Sequence, residues 1–358
     1  MRKNSFIQGA LILTVAGIIV KFIGAFSRIY LSRLLGGEGI GLYQMAYPIY
    51  MLCLSISSAG LPVAISIMVA ERNAVNDYWG GQKVFRISMT ALTLTGIVFS
   101  ALLYFGADWL VHSGVVTDER AYWSLIALSP AVLCATLLAS LRGYFQGLQM
   151  MTPTAVSQIV EQLVRVVTMI ALAIVLMPYG LEYGAAAGAF IGILVLIACY
   201  FMTKSWRREL ASRQDSHIKP LGVGTILKRL LILAVPVSLA NIMLPVVSSI
   251  DLFIVPRRLV VAGFSVEEAT TLFGYLTGMA TALVNMPTIV TASLAASLVP
   301  VISEAVAQNK SETILKRTHT AMRLANLITI PSFVGMSSLH RSLPCFTQFL
   351  MPVPVLRS

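Results

Sequence analysis

The chain has 358 residues, 57% of them hydrophobic and only 11% charged, with a formal net charge of +11. Soluble domains carry about 25% charged residues, so the composition excludes a soluble globular protein and leaves almost no length for a soluble domain. The basic residues stand in short segments between apolar runs, which excludes nucleic-acid binding as the reason for the charge and describes a polytopic membrane protein.

A spanning helix needs about 20 mainly apolar residues. Nine stretches meet that need, near residues 6–31, 43–70, 84–109, 122–146, 154–177, 184–203, 230–255, 272–301 and 321–336. They are too long for barrel strands and show no alternation of apolar and polar residues. The fold class expected is an all-α polytopic bundle. The Met1-Arg2-Lys3 start followed by an apolar run looks like a signal peptide, but no small-x-small cleavage site ends the run, so it is read as an uncleaved first span.

The first stretch sets the theme. Thr14, Gly17, Lys21, Gly24 and Arg28 recur at steps of three and four and share one helix face. Ile12, Val15, Ile19, Phe22, Phe26 and Ile29 occupy the opposite face and suit lipid. A Lys or Arg at the centre of a spanning helix costs about 2.5–3.5 kcal/mol and normally lines a cavity or finds a partner. Arg28 alternatively reaches the headgroups by snorkelling. The chain then turns through Gly36-Gly37-Glu38-Gly39-Ile40-Gly41 into the second span.

Further polar stripes follow. In the fifth span Gln158, Glu161, Arg165 and Thr168 share a face, and Glu161 precedes Arg165 by four, the favourable order for an intrahelical pair. That pair suits a structural role as well as a cavity role. In the seventh, Pro236 and Pro245 interrupt the backbone ladder while Ser238, Asn241, Ser248 and Asp251 add polar groups. The eighth carries Thr277, Thr281, Thr288 and Thr291 beside Pro287.

Orientation follows the Lys/Arg bias of short loops. With the N-terminus cytoplasmic, the outer segments hold four basic residues, Arg33, Arg120, Arg257 and Arg258, and the inner segments hold seventeen. The protein is expected in the cell membrane, multi-pass, with a cytoplasmic N-terminus. The organisation expected is a first six-helix bundle over residues 1–203, a basic cytoplasmic linker over 204–229, the beginning of a second bundle over 230–336, and an atypical tail over 337–358 that reads as a truncation or frameshift. The linker would also suit anionic lipid or nucleic acid. The segments 61–66 and 299–303 look weakly alike, as in a parallel repeat.

No HExxH, GxSxG or P-loop occurs, and no histidine sits in a motif. The outer carboxylates Asp118, Glu119, Glu267 and Glu268 are expected to be solvated loop charges without partners. Cys53, Cys134, Cys199 and Cys345 show no paired spacing. No enzyme, cofactor or metal is expected.

The motifs Phe26-Ser27-Arg28, Arg33 through Tyr43, Leu61 through Ser66, Leu141-Arg142-Gly143-Tyr144-Phe145-Gln146-Gly147, Ser157 through Arg165, Pro178-Tyr179-Gly180 and Ser297 through Glu304 together resemble the stage V sporulation protein B group. That group belongs to the multidrug/oligosaccharidyl-lipid/polysaccharide (MOP) flippase superfamily, whose fold is related to that of the multidrug exporters known as MATE transporters. The resemblance covers about residues 4–335. It implies two helical bundles around a central cavity, with nine of an expected fourteen spanning helices present. The work it implies is moving an undecaprenyl-diphosphate-linked oligosaccharide or peptidoglycan precursor across the cytoplasmic membrane for spore cortex or cell-wall synthesis. Its partners would be that lipid-linked sugar, membrane lipids and enzymes of wall synthesis, with no nucleic acid.

The substrate-binding residues so implied are Lys21, Arg28, Arg142 and Arg165, because cations hold diphosphate well, with Glu161, Asn241 and Asp251 beside them. Competing readings are a cation-coupled drug exporter of the same superfamily, a wall polymerase and a non-transporting scaffold of wall synthesis. An exporter would want acidic and aromatic groups in the cavity, and a polymerase would want paired carboxylates or a large outer loop.

Overall fold

The computed structural model describes residues 6–58, 60–75, 77–181, 183, 222–281, 291 and 311–350. The expected span 184–203, the linker residues 204–221, most of the span 272–301 and the repeat segment 299–303 lie outside the described residues. Every regular element among the described residues is helical, as the need to satisfy backbone polar groups inside a bilayer requires of a protein that is not a barrel.

Helix α1 spans Phe6–Ser58 and bends at Gly36, where φ is 67° and ψ −174°. That backbone region is open essentially to glycine alone. The bend reverses the chain. Before it, Gly24 lies against Gln162, and Leu31 and Leu35 pack with Met169 and Ala173. After it, Gly41 meets Thr270 and Gly60 meets Ala234. The two limbs of α1 therefore run antiparallel and form the first and second crossings.

The expected span 43–70 is two helices. Helix α1 stops at Ser58 and α2 occupies Leu61–Ala74 with Pro62 in its first turn. Pro62 has no N–H for the Ser58 carbonyl, so the ladder breaks there. The amide of Gly60 instead donates to Ser238 Oγ at 3.0 Å.

Helix α3 (Tyr78–His112) starts at Asp77, whose carboxylate accepts from the Gly80 amide at 2.8 Å. Helix α4 (Tyr122–Gly147) follows a short 3₁₀ turn, and α5 (Met151–Leu176) completes this part. Helix α6 (Val223–Val261) starts seven residues ahead of the expected seventh span and runs unbroken through Pro236, Pro245 and Pro256. The prolines remove the ladder donors of the Ile232, Asn241 and Leu252 carbonyls, yet the helix continues past all three. Helix α7 (Val266–Gly274) opens with a Ser265–Glu268 capping box and passes into a π-helical turn at Tyr275–Ala280. Helix α8 (Ser311–Leu350) continues past Met336, where the last span was expected to end, and through Pro344.

Two core clusters lie at opposite ends of the bundle. At one end Leu42, Met45, Leu103, Leu125, Leu252 and Phe273 join α1, α3, α4, α6 and α7. We call this the carboxylate end, for the acids described below. At the other, basic end Ile65, Met68, Phe85, Tyr144, Ile226 and Leu230 join α2, α3, α4 and α6. Helix α6 thus packs along the second limb of α1 and along α2 over most of its length.

Candidate functional site

The fifth-span stripe forms the ion pair its spacing suggests, and a third residue joins it. Arg165 Nη2 bonds Glu161 Oε1 within α5. Arg142, on α4, places Nη2 2.6 Å from the other oxygen, Oε2, and its Nε donates to Ser157 Oγ at 3.1 Å. Each carboxylate oxygen of Glu161 thus meets a different guanidinium, and the cluster keeps one net positive charge. The side chains of Arg142 and Glu161 are each 21% exposed and that of Arg165 is 45% exposed, so the cluster opens on one side. Charge-assisted bonds of this kind are roughly twice as strong as neutral ones.

Lys21 and Arg28 are exposed, and neither makes a hydrogen bond or an ion pair among the described residues. The face of α1 that turns to protein carries Ala16, Ser27, Leu31 and Leu35, all buried, and lies beside the Lys21–Arg28 stripe. Val15, Ile19, Phe22 and Phe26 are exposed, as expected of a lipid-facing side.

Depth follows from the bend. Arg28 stands eight residues before Gly36 and Tyr43 seven after it, so at about 1.5 Å per residue the two share one level. Both the Arg28 and Arg165 charges act on the Tyr43 hydroxyl, and Arg165 and Glu161 act on Tyr50. The second limb of α1 therefore faces the cations of the first limb and of α5. No sequence signal singled out these tyrosines beforehand, although Tyr43, Tyr47 and Tyr50 are spaced to share a face.

Asn241 and Asp251 are exposed on α6 and make no hydrogen bond or ion pair among the described residues, so no contact joins them to the arginine cluster. Ser238 does find a role, at the Gly60 amide. Among the described residues no group of acids, histidines and cysteines is arranged to hold a metal.

Of the carboxylates expected to be solvated loop charges, Glu119 is exposed and makes no hydrogen bond or ion pair among the described residues and Glu267 is largely exposed, but Asp118 and Glu268 are partnered. Asp118 is 2% exposed and receives Arg120 three times, at the backbone amide (3.0 Å), Nε (3.0 Å) and Nη2 (2.8 Å). Arg120 Nη1 also bonds Glu38 Oε1 at 2.6 Å and stands 4.0 Å from Glu267. Thr270 Oγ1 lies 2.8 Å from Asp118 Oδ2. Glu268 caps α7 through Ser265. The correction has a physical reason: Arg120 needs counter-charge once α7 covers it, and the acids come from three separate turns.

Glycines let this closure form. A Cβ on Gly41 would stand 2.1 Å from the Thr270 carbonyl oxygen, and one on Gly274 would stand 2.3 Å from that of Gly37. The glycine-rich turn read from the sequence is therefore both a bend and a contact surface for α7.

A separate groove of about 690 Å³ between α3, α4 and α5 is lined by Tyr104, Phe105, Trp123 and Leu172 among others. Its serines, Ser100 and Ser129, donate to backbone carbonyls, and its lining carries no charged side chain to hold a charged ligand.

A family model described as "Polysaccharide biosynthesis protein" matches residues 6–342. The chain belongs to that family. It is 34% identical over 333 residues to stage V sporulation protein B of Bacillus subtilis, covering 91% of this chain and 64% of that protein. It is 26% identical over 364 residues to the lipid II flippase MurJ of the same organism, covering 97% of this chain and 66% of that protein. The chain thus spans about two thirds of the length of these relatives. Among solved structures it resembles an inward-facing multidrug resistance MATE family transporter of the MOP superfamily, with a TM-score of 0.67 at 16% identity, over 92% of this chain and 74% of that one. A MOP superfamily transporter from Pyrococcus furiosus gives 0.64 at 16% identity, over 99% of this chain and 76% of that one.

Those likenesses show the fold, a MOP-type bundle of membrane helices. The family match extends to residue 342, seven residues past the end of the resemblance drawn from motifs. In this member of the polysaccharide biosynthesis protein family, α4 and α5 bring together Arg142, Glu161 and Arg165, while Arg28 and Lys21 stand apart on the first limb of α1, about 10 Å from each other along its axis at 1.5 Å per residue.

Proposed function

We propose that this chain acts in a flippase that moves an undecaprenyl-diphosphate-linked oligosaccharide or peptidoglycan precursor across the cytoplasmic membrane, in the service of spore cortex or cell-wall polysaccharide synthesis. Its N-terminus and basic end face the cytoplasm. The observation that carries this reading is the excess of cations at membrane depth: Lys21 and Arg28 have no counter-ion among the described residues, and Glu161 is shared by two arginines. Uncompensated cations inside a membrane are costly, and an anionic ligand that completes them recovers that cost. A diphosphate offers several oxygens to such a set, and arginine meets them with a planar fork. A cationic drug would meet repulsion from the same groups. The Asp118–Thr270 and Gly41–Thr270 contacts close the carboxylate end, which suits a carrier that opens its ends in turn.

The test is binding to the purified protein in lipid nanodiscs, followed by native mass spectrometry. The probes are undecaprenyl diphosphate carrying a disaccharide and the lipophilic cation tetraphenylphosphonium. The lipid is expected to bind, and Arg28→Ala with Lys21→Ala to weaken it by about tenfold or more. Binding of the phosphonium ion without binding of the lipid would overturn the proposal in favour of a drug exporter.

A further inference from the structure

Tyr43, Tyr47 and Tyr50 form a ladder on the second limb of α1. Their ring centroids are 5.6 Å and 6.0 Å apart in succession, and steps of four and three residues put them on one helix face. All three are half-buried. None of their hydroxyls has a hydrogen-bond partner among the described residues, and none is sealed away from accessible space. Three such phenols at mid-membrane are unusual in a purely structural stripe, because buried tyrosines usually find a partner for the hydroxyl.

Their placement relative to the cations is specific. Counting from the bend at Gly36, Tyr43 lies level with Arg28, and Tyr50, fourteen residues past the bend, lies level with Lys21, fifteen before it. The ladder and the Arg28–Lys21 pair therefore run side by side for about 10 Å at 1.5 Å per residue. The Arg165 charge acts on both ends of the ladder, Arg28 on the Tyr43 end and Glu161 on the Tyr50 end. An anion bound by the cations would carry whatever is attached to it across these rings.

We propose that the Tyr43–Tyr47–Tyr50 ladder is a saccharide platform, on which the sugar of a diphosphate-linked glycan stacks while Arg28 and its neighbours hold the diphosphate. A pyranose ring has a face of C–H groups whose partly positive hydrogens suit the negative face of an aromatic ring. Its hydroxyls at the rim can exchange hydrogen bonds with phenol oxygens, which both donate and accept. Aromatic rings also attract cations, but guanidinium charges beside the ladder disfavour a cationic guest. The inference rests on the flippase reading above and extends it by naming the groups that recognise sugar rather than phosphate.

The test separates the two. Undecaprenyl diphosphate with and without an attached disaccharide is titrated into the protein in nanodiscs, with wild-type, Tyr47→Phe, Tyr47→Leu and Tyr43→Leu compared. Wild-type protein is expected to bind the glycosylated lipid about tenfold more tightly than the bare one. Each leucine variant should lose most of that ratio with binding of the bare lipid unchanged, and Tyr47→Phe should keep most of it, since the ring remains. Equal binding of the two lipids by wild-type protein overturns the platform and leaves the flippase reading standing. So does an equal loss for both lipids in the leucine variants. Failure of wild-type protein to bind either lipid overturns both.

Discussion

Arg142 of α4 reaches across a helix hairpin to Glu161 of α5 and meets Oε2 at 2.6 Å, leaving Oε1 to Arg165. The acid is thereby held between two cations, and the guanidinium groups are fixed in position before any ligand arrives.

The first prediction concerns that acid. Glu161→Gln leaves Arg142 and Arg165 facing each other with no counter-charge, whereas Glu161→Gln with Arg165→Gln removes one of the two as well. Breaking a fully buried pair costs about 3–5 kcal/mol. With a fifth of each side chain open, about 1–2 kcal/mol is expected for the single change. The thermal midpoint of the detergent-purified protein should fall by several degrees for the single variant and by less for the double. A larger fall in the double would show that the residues do not act as a pair.

The second concerns closure at the carboxylate end. Asp118→Asn weakens the bonds to Arg120 and Thr270 together. Ala269, fully buried on α7, can be replaced by cysteine with little change in volume and used as a reporter. Its reaction with a membrane-impermeant maleimide should be slow in the otherwise wild-type protein. It should rise about five- to thirty-fold with Asp118→Asn, the effect of losing about 1–2 kcal/mol of closure. An unchanged rate would remove Asp118 from the closure.

Glycine substitutions supply the third. Gly41→Ala puts a methyl group 2.1 Å from the Thr270 carbonyl oxygen, which is backbone and cannot yield. Helix α7 must then move away, and the midpoint of thermal unfolding should fall. Gly106→Ala serves as the control, because nothing lies within 4 Å of its Cβ position. In a helix interior that change should be neutral or stabilising by about 0.5–1 kcal/mol. Equal effects of the two would contradict the close approach of α1 and α7.

Much of this architecture was legible in the sequence, for physical reasons that differ by element. Apolar runs bounded by charge marked α3, α4, α5 and α6, because a bilayer leaves few alternatives to a long helix. The Glu161–Arg165 spacing marked a pair because both partners lie on one helix. Arg142 was implied by family resemblance, but its bond to Glu161 needs the α4–α5 hairpin, which local periodicity does not specify. The Asp118–Arg120 pair is local, two residues apart, but its burial under α7 depends on contacts such as that with Thr270, 152 residues away, and a long-range contact leaves no local signature. Pro62 carried the signal for the break between Ser58 and Leu61, but the apolar run on either side of it outweighed that signal. The tyrosine ladder passed unnoticed because aromatic residues at helical spacing are ordinary in a membrane span.

A fourth prediction concerns orientation. Cysteine at Ser265, just before α7, should react with a membrane-impermeant reagent added to intact cells, and cysteine at Ser212, in the basic segment, should not. Labelling of Ser212 and protection of Ser265 would reverse the proposed topology.

The most direct measurement for the central claim is precursor flux in Arg28 variants. Arg28→Lys keeps the charge but loses the planar fork, and Arg28→Ala loses both. The readout is the amount of lipid-linked saccharide accumulated in cells that depend on this protein, at membrane levels of each variant matched by immunoblot. Arginine bound to diphosphate predicts accumulation of about tenfold or more in Arg28→Ala, the scale of a lost charge-assisted hydrogen bond, and a clear rise in Arg28→Lys. An arginine that only snorkels to the headgroups is replaced freely by lysine. Normal precursor levels in both variants at equal protein level would contradict the placement of Arg28 at the diphosphate.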